Sequence, residues 1–161
     1  MDILLTAFKG QHNSSYQLIK DVKCDKLFIK DVKCDKLFLT NSFEGLEEDI
    51  EECDCEQYSA VIMFGLDTKL KDRIRIDVRA QTEIGTKDTV WDVSAISEMF
   101  DICGVPNYIS KRPTKYLCNY AYYLMLQRMC GRAVFIHIPP ERYITDEIRQ
   151  KIVSVVQKIS R

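Results

Sequence analysis

Two residues in the C-terminal third of this 161-residue chain have types and positions suited to nucleophilic chemistry. Cys118 follows a polar loop and falls in the first turn of an apolar helix, where unpaired N–H groups and the helix dipole favour thiolate over thiol. His137 falls near the C-terminal end of an apolar strand, AVFIHI, the edge at which open α/β sheets place their ligands. Each residue alone has a plain structural reading, since a buried cysteine is commonly a small hydrophobe and a histidine on an apolar strand a satisfied core residue. Together, at the ends of consecutive elements, they allow acyl transfer with the imidazole as general base and the sulfur as nucleophile. The helix-start position predicts a depressed pKa for Cys118, and therefore that it is the most readily alkylated of the seven cysteines. Cys53-Asp54-Cys55 has no second Cys/His pair at zinc-site spacing and reads as a solvated loop. No metal and no cofactor are implied.

The elements that must hold these two residues run from Ser110 to Pro140: a loop, a helix opening at about Tyr116, a turn at Gly131-Arg132, and a strand stopped by Pro139-Pro140. Tyr116, Leu117, Tyr120, Ala121, Leu124, Met125 and Met129 are too many apolar positions for a surface helix. A strand apolar on both faces needs helices on each side. Upstream, Asp2–Phe8 reads as a buried strand, Lys9–Asn13 as a turn, and Asn13 or Ser14 as the cap of a first helix. Lys36–Thr40 reads as a second strand, Phe43–Glu52 as an acidic helix, and Ser59–Gly65 as a strong buried strand. Arg73–Ala80 alternates, with Ile74, Ile76 and Val78 inward and Arg73, Arg75, Asp77 and Arg79 on a wet or subunit-facing side. Gln81–Val90 reads as a polar connection. A helix capped by Asp92 or Ser94 runs to Cys103, and an amphipathic helix spans Thr145–Ser160. Strands alternating with helices predict a three-layer α/β/α sandwich around a mainly parallel mixed sheet, in one domain over residues 1–161.

Twenty-three basic and 24 acidic residues leave a net charge of −1, which argues against nucleic acid or an anionic membrane as partner. MDILLTAF has no basic n-region and too short an apolar run for a signal peptide, and no stretch reaches membrane-spanning length. With an odd cysteine count, these features lead us to expect reduced thiols and a cytoplasmic location. Homo-oligomerisation is left open.

The stretches YLCNYAYYLML and GRAVFIHIPP resemble the catalytic half of the pyroglutamyl peptidase I (pyrrolidone carboxyl peptidase) family. The resemblance is specific there and thin elsewhere. It implies a cofactor-free cysteine peptidase that removes an N-terminal pyroglutamyl, or related small acyl, group from peptides. It matches Cys118 to the family's nucleophile and His137 to its histidine. Aligning the strand RIRID puts Asp72 where the family has a catalytic glutamate, with nearby Asp77 or Asp67 the next candidates for that role. Phe8, Tyr116 and Leu117 fall in the matching motifs as substrate-binding candidates. The chain departs from the family in three places: the Pro-Phe-Gly-Gly loop after Phe8 is absent, Asp72 replaces glutamate, and Pro113-Thr114 stand for Ala-Gly. The alternative reading is an impaired relative that serves as a binding or structural protein.

IKDVKCDKLF occurs twice in succession, at residues 19–28 and 29–38, identical at all ten positions. Two copies are too few for a solenoid, so this is a recent or deliberate duplication, and Cys24 and Cys34 are one cysteine copied. Either the first helix continues through the first copy, with Leu18, Val22, Ile29 and Val32 near one face, or one copy loops out. Either copy can supply the second strand, while ten extra residues add ordering cost. A variant lacking one copy is therefore expected to fold with a melting temperature at or above that of the parent, and its failure to fold would make the duplication structural.

Overall fold

The computed structural model describes residues 2–22 and 33–159. The expected continuation of the first helix through Ile29 and Val32 lies outside them. Helix α1 (Ser14–Lys20) follows strand β1 (Ile3–Phe8), is capped by the Asn13 side chain, which accepts from the Ser15 N–H, and ends at its C-cap, Asp21, whose N–H donates to the Ile19 carbonyl. Next come β2 (Cys34–Leu39), α2 (Phe43–Glu52), β3 (Ala60–Leu66), β4 (Ile74–Asp77), β5 (Arg79–Thr82) and β6 (Gly85–Asp88). The chain continues through α3 (Val93–Ile102), β7 (Asn107–Ser110), α4 (Leu117–Arg128), β8 (Ala133–Ile138) and α5 (Asp146–Ile159).

Six strands form one mixed sheet in the order β2-β1-β3-β8-β4-β7. All neighbours are parallel except β4 and β8, which run antiparallel. The alternation of the apolar strands divides the core in two. Ile3, Leu5, Ile62, Phe64, Val134 and Ile136 face α1, α3 and α5, while Leu4, Val61, Met63, Ala133 and Phe135 face α2 and α4. The result is the expected three-layer sandwich, and β8, in the middle of the sheet, is buried at every position.

Local signals explain most boundaries. Asp92 accepts from the Ser94 and Ala95 N–H groups and opens α3, and Gly104, at φ 69°, ends it. Gly131, at φ 84°, donates to the Leu126 carbonyl and turns the chain from α4 into β8. Two regions differ from expectation. The stretch Gln81–Val90 is not a plain connection, because β5 and β6 pair as an antiparallel hairpin. Cys55 does not lie in a solvated loop, because it is fully buried against the layer containing α2 and α4.

Candidate active site

The chemistry-bearing residues converge at the carboxyl ends of β3 and β8. Only the end of a strand buried on both faces can hold a polar side chain near solvent, and His137, the penultimate residue of β8, is 3% exposed. Its ring stacks on Phe135, two residues earlier on the same face, with centroids 4.5 Å apart and planes 29° from parallel. Gly65 of β3 is its neighbour across the parallel ladder. A β-carbon at Gly65 would stand 2.6 Å from the Phe135 ring and 3.1 Å from Cys118 Sγ. The sulfur therefore rests beside Gly65 in space that only glycine leaves. Cys118 is the second residue of α4, as its sequence position implies.

The antiparallel strand β4 closes the other side. Arg75 pairs directly opposite His137 in the ladder. Its Nη2 lies 3.0 Å from His137 Nδ1, its Nε donates to Asp77 Oδ1 at 2.8 Å, and its Nη1 donates to Asp67 Oδ2 at 2.6 Å. Asp77 Oδ2 also lies 3.0 Å from His137 Nδ1. Burial works against the Arg75 charge, but Asp77 and Asp67 more than offset it and hold its pKa above the ordinary value. This overturns the expectation of a wet row for Arg75 and Asp77, whereas the side chains of Arg73 and Arg79 are exposed as expected. Ile74 and Ile76 do point into the core, but Arg75 and Asp77 point under α4, with side chains 12% and 5% exposed.

Asp72 is not part of this cluster. Its side chain is 75% exposed and pairs with its neighbour Arg73. It lies in the bend before β4, whereas the carboxylate at His137 comes from the end of that strand. Alternation had already placed Arg75 and Asp77 on one face. Which layer covers that face depends on the antiparallel pairing with β8, and no local pattern encodes that pairing.

Tyr122, one helical turn after Cys118, ties the two halves together. Its hydroxyl donates to the Asp77 carbonyl at 3.0 Å, so the helix carrying the cysteine is fixed to the strand carrying the carboxylate. Cys118 and His137 open on a cavity of ≈ 580 Å³, within the range of small-ligand sites. Phe8, Tyr116 and Leu117 all line it, joined by Asn13, Asn41, Leu66 and Thr114. The Thr114 Oγ1 is buried without a hydrogen-bond partner. Close packing pushes the Cys118 thiol up to about 12, with the Asp77 charge adding to the effect and Arg75 opposing it. The helix terminus does not lower it as the sequence position alone suggests. Desolvation of the sulfur outweighs a dipole whose influence is typically below about 1 kcal/mol.

No family model matches the chain. Over 76 residues, 45% of this chain and 36% of the relative, it is 29% identical to pyroglutamyl-peptidase 1 of Rattus norvegicus. It is 28% identical to the Homo sapiens protein of that name over the same shares. The match thus spans well under two thirds of these relatives' own length. In three dimensions the chain resembles pyrrolidone carboxyl peptidase from Thermus thermophilus, with a TM-score of 0.79 and 19% identity over 99% of this chain and 100% of that one. A mutant pyrrolidone carboxyl peptidase from Pyrococcus furiosus gives a TM-score of 0.78 and 20% identity over 99% and 98%. The chain has the pyrrolidone carboxyl peptidase fold.

Two outcomes follow from this geometry. Gly65→Ala forces a methyl group against the locked Phe135 ring and is expected to lower stability by about 1–3 kcal/mol in denaturant melts. It should also displace Cys118. The raised thiol pKa means that at neutral pH the residue is protonated, with its thiolate fraction falling about tenfold per unit of pKa. Higher intrinsic nucleophilicity recovers part of that loss. Iodoacetamide is therefore expected to label Cys118 at least about tenfold more slowly than the exposed Cys130 near pH 7.5, with a rate still climbing at about pH 10. Equal labelling of the two by mass spectrometry would mean that Cys118 carries a resident thiolate.

Proposed function

We propose that this chain is a cysteine peptidase of the pyroglutamyl peptidase type, cleaving an N-terminal pyroglutamyl or related small acyl group from a peptide. The observation that carries the reading is the convergence of Cys118 and His137 on one cavity across Gly65, with a buried carboxylate, Asp77, at His137 Nδ1. Sequence resemblance alone nominated Asp72 for the acidic role, and we assign that role to Asp77 instead. Phe8, Tyr116 and Leu117 act as walls for the acyl ring.

The steps follow from these positions. His137 Nε2 takes the thiol proton as the sulfur attacks the acyl carbon, forming the C–S bond. Asp77 holds Nδ1–H and stabilises the imidazolium so formed. The oxygen that gains charge is received by backbone N–H groups at the start of α4, where Leu117 and Cys118 have no intrahelical acceptor. The C–N bond then breaks, and His137 gives its proton to the departing amine. Water, deprotonated by His137, cleaves the thioester and restores the thiol. A thiol whose pKa lies near 12 at rest suits this scheme, because its proton leaves only when an electrophile is in place.

The same raised pKa also supports the second reading, a protein that binds N-acyl peptides without turning them over. A fluorogenic pyroglutamyl amide separates the two. Hydrolysis is expected in the parent, lost in Cys118→Ala, and lowered in kcat by about 10²-fold or more in Asp77→Asn. Asp72→Ala should change it less than about twofold, as an exposed surface carboxylate would. An Asp72 effect as large as that of Asp77 would overturn the assignment, and binding without hydrolysis in the parent would favour the second reading.

A further inference from the structure

Two partners claim the same nitrogen of His137. Arg75 Nη2 and Asp77 Oδ2 each lie 3.0 Å from Nδ1. A guanidinium can only donate and an ionised carboxylate can only accept, so the two require opposite forms of the ring. With a proton on Nδ1 the ring serves Asp77 and turns N–H against N–H at Arg75. Without one it accepts from Arg75, and its remaining proton sits on Nε2, on the ring edge remote from Nδ1. Stacking on Phe135 sets the plane of the ring in which this choice is made.

We infer that Arg75 is a positioning residue that holds His137 in the Nε2–H tautomer, the form that cannot take the Cys118 proton. Three features of the structure favour Arg75 over Asp77 in the free protein. The guanidinium is anchored at its other two corners, Nε on Asp77 and Nη1 on Asp67, which aims Nη2 at Nδ1. Asp77 already receives Arg75 at Oδ1, so its pull on a second proton is partly neutralised. Arg75 stands directly opposite His137 in the β4–β8 ladder, so backbone pairing maintains the contact. Removing Nη2 from Nδ1 hands that nitrogen to Asp77: one proton leaves Nε2 to solvent, one returns to Nδ1, and the ring stays neutral. The inhibitory consequence rests on the peptidase reading, whereas the tautomer assignment does not.

The chain has only two histidines, and His12 is exposed, so a His12→Gln background leaves one imidazole to observe. Long-range 1H–15N correlation on the 15N-labelled full chain reads the tautomer directly, at about pH 8.5, well above the ordinary imidazole pKa of ~6.5. The expected result is a predominant Nε2–H ring in the parent and an inverted ratio, predominantly Nδ1–H, in Arg75→Met. Should two uncompensated carboxylates prevent that variant from folding, the Arg75→Met/Asp67→Asn pair lowers the charge and carries the same expectation. A parent already in the Nδ1–H form overturns the inference, as does a folded variant with an unchanged ratio. Where pyroglutamyl amide hydrolysis is measurable, the variant raises kcat with a smaller change in KM. Absence of hydrolysis in every form counts against the peptidase reading and leaves the tautomer result to decide this one.

Discussion

A strand covered on both faces has no room for a charge except at its end, and the arrangement of the candidate site descends from that constraint on β8. Every residue from Ala133 to Ile138 is buried, and the one polar side chain among them sits where the sheet runs out. A buried imidazole needs partners, and β4, entering antiparallel, brings two. The buried guanidinium then needs a second carboxylate, which Asp67 supplies. Asp67 in turn takes the Lys69 N–H on its other oxygen. The series ends at a surface turn, where water can complete it.

Charges this close are costly to assemble, and losing one partner typically costs about 3–5 kcal/mol because the remaining charge stays buried. Cooperative burial of the set favours the contacts that Arg75 makes with Asp77 and Asp67. The sulfur is held differently. It depends on the missing side chain at Gly65 and on the Tyr122 bridge from α4 to β4, which are steric and neutral restraints.

How much of this was legible in the residues depended on range. The helix start before Cys118, the strand ending after His137, the caps at Asn13 and Asp92 and the breaks at Gly104 and Gly131 are local, and the sequence pattern marks them. So does the alternation in β4. The acid at His137 ranked behind Asp72 because its place depends on which strand lies beside β8, a pairing between residues some sixty apart in the chain. Alignment favoured Asp72 by its place before the strand, and a carboxylate in the bend before β4 cannot occupy the same point as one at the strand's far end. The thiol's electrostatics went the other way from the helix-dipole argument for a similar reason. Burial depends on what the rest of the chain packs around Cys118, and seven residues of context do not reveal it.

The cavity takes its walls from both halves of the chain and its reactive groups from one. Phe8 ends β1, and Asn13 and Asn41 come from the loops after β1 and β2, whereas Leu66, Thr114, Tyr116 and Leu117 join Asp67, Arg75, Cys118 and His137 from the end of β3 onward. Hydrogen bonds that tie those first loops together, such as Asn41 to the Lys9 carbonyl, include none to the ionic cluster. One edge of the cavity is thus built apart from the ionic cluster. The loops after β1 and β2 can exchange residues, lengthen or shorten, and so reshape that edge, while the contacts among Asp67, Arg75, Asp77 and His137 stay as they are.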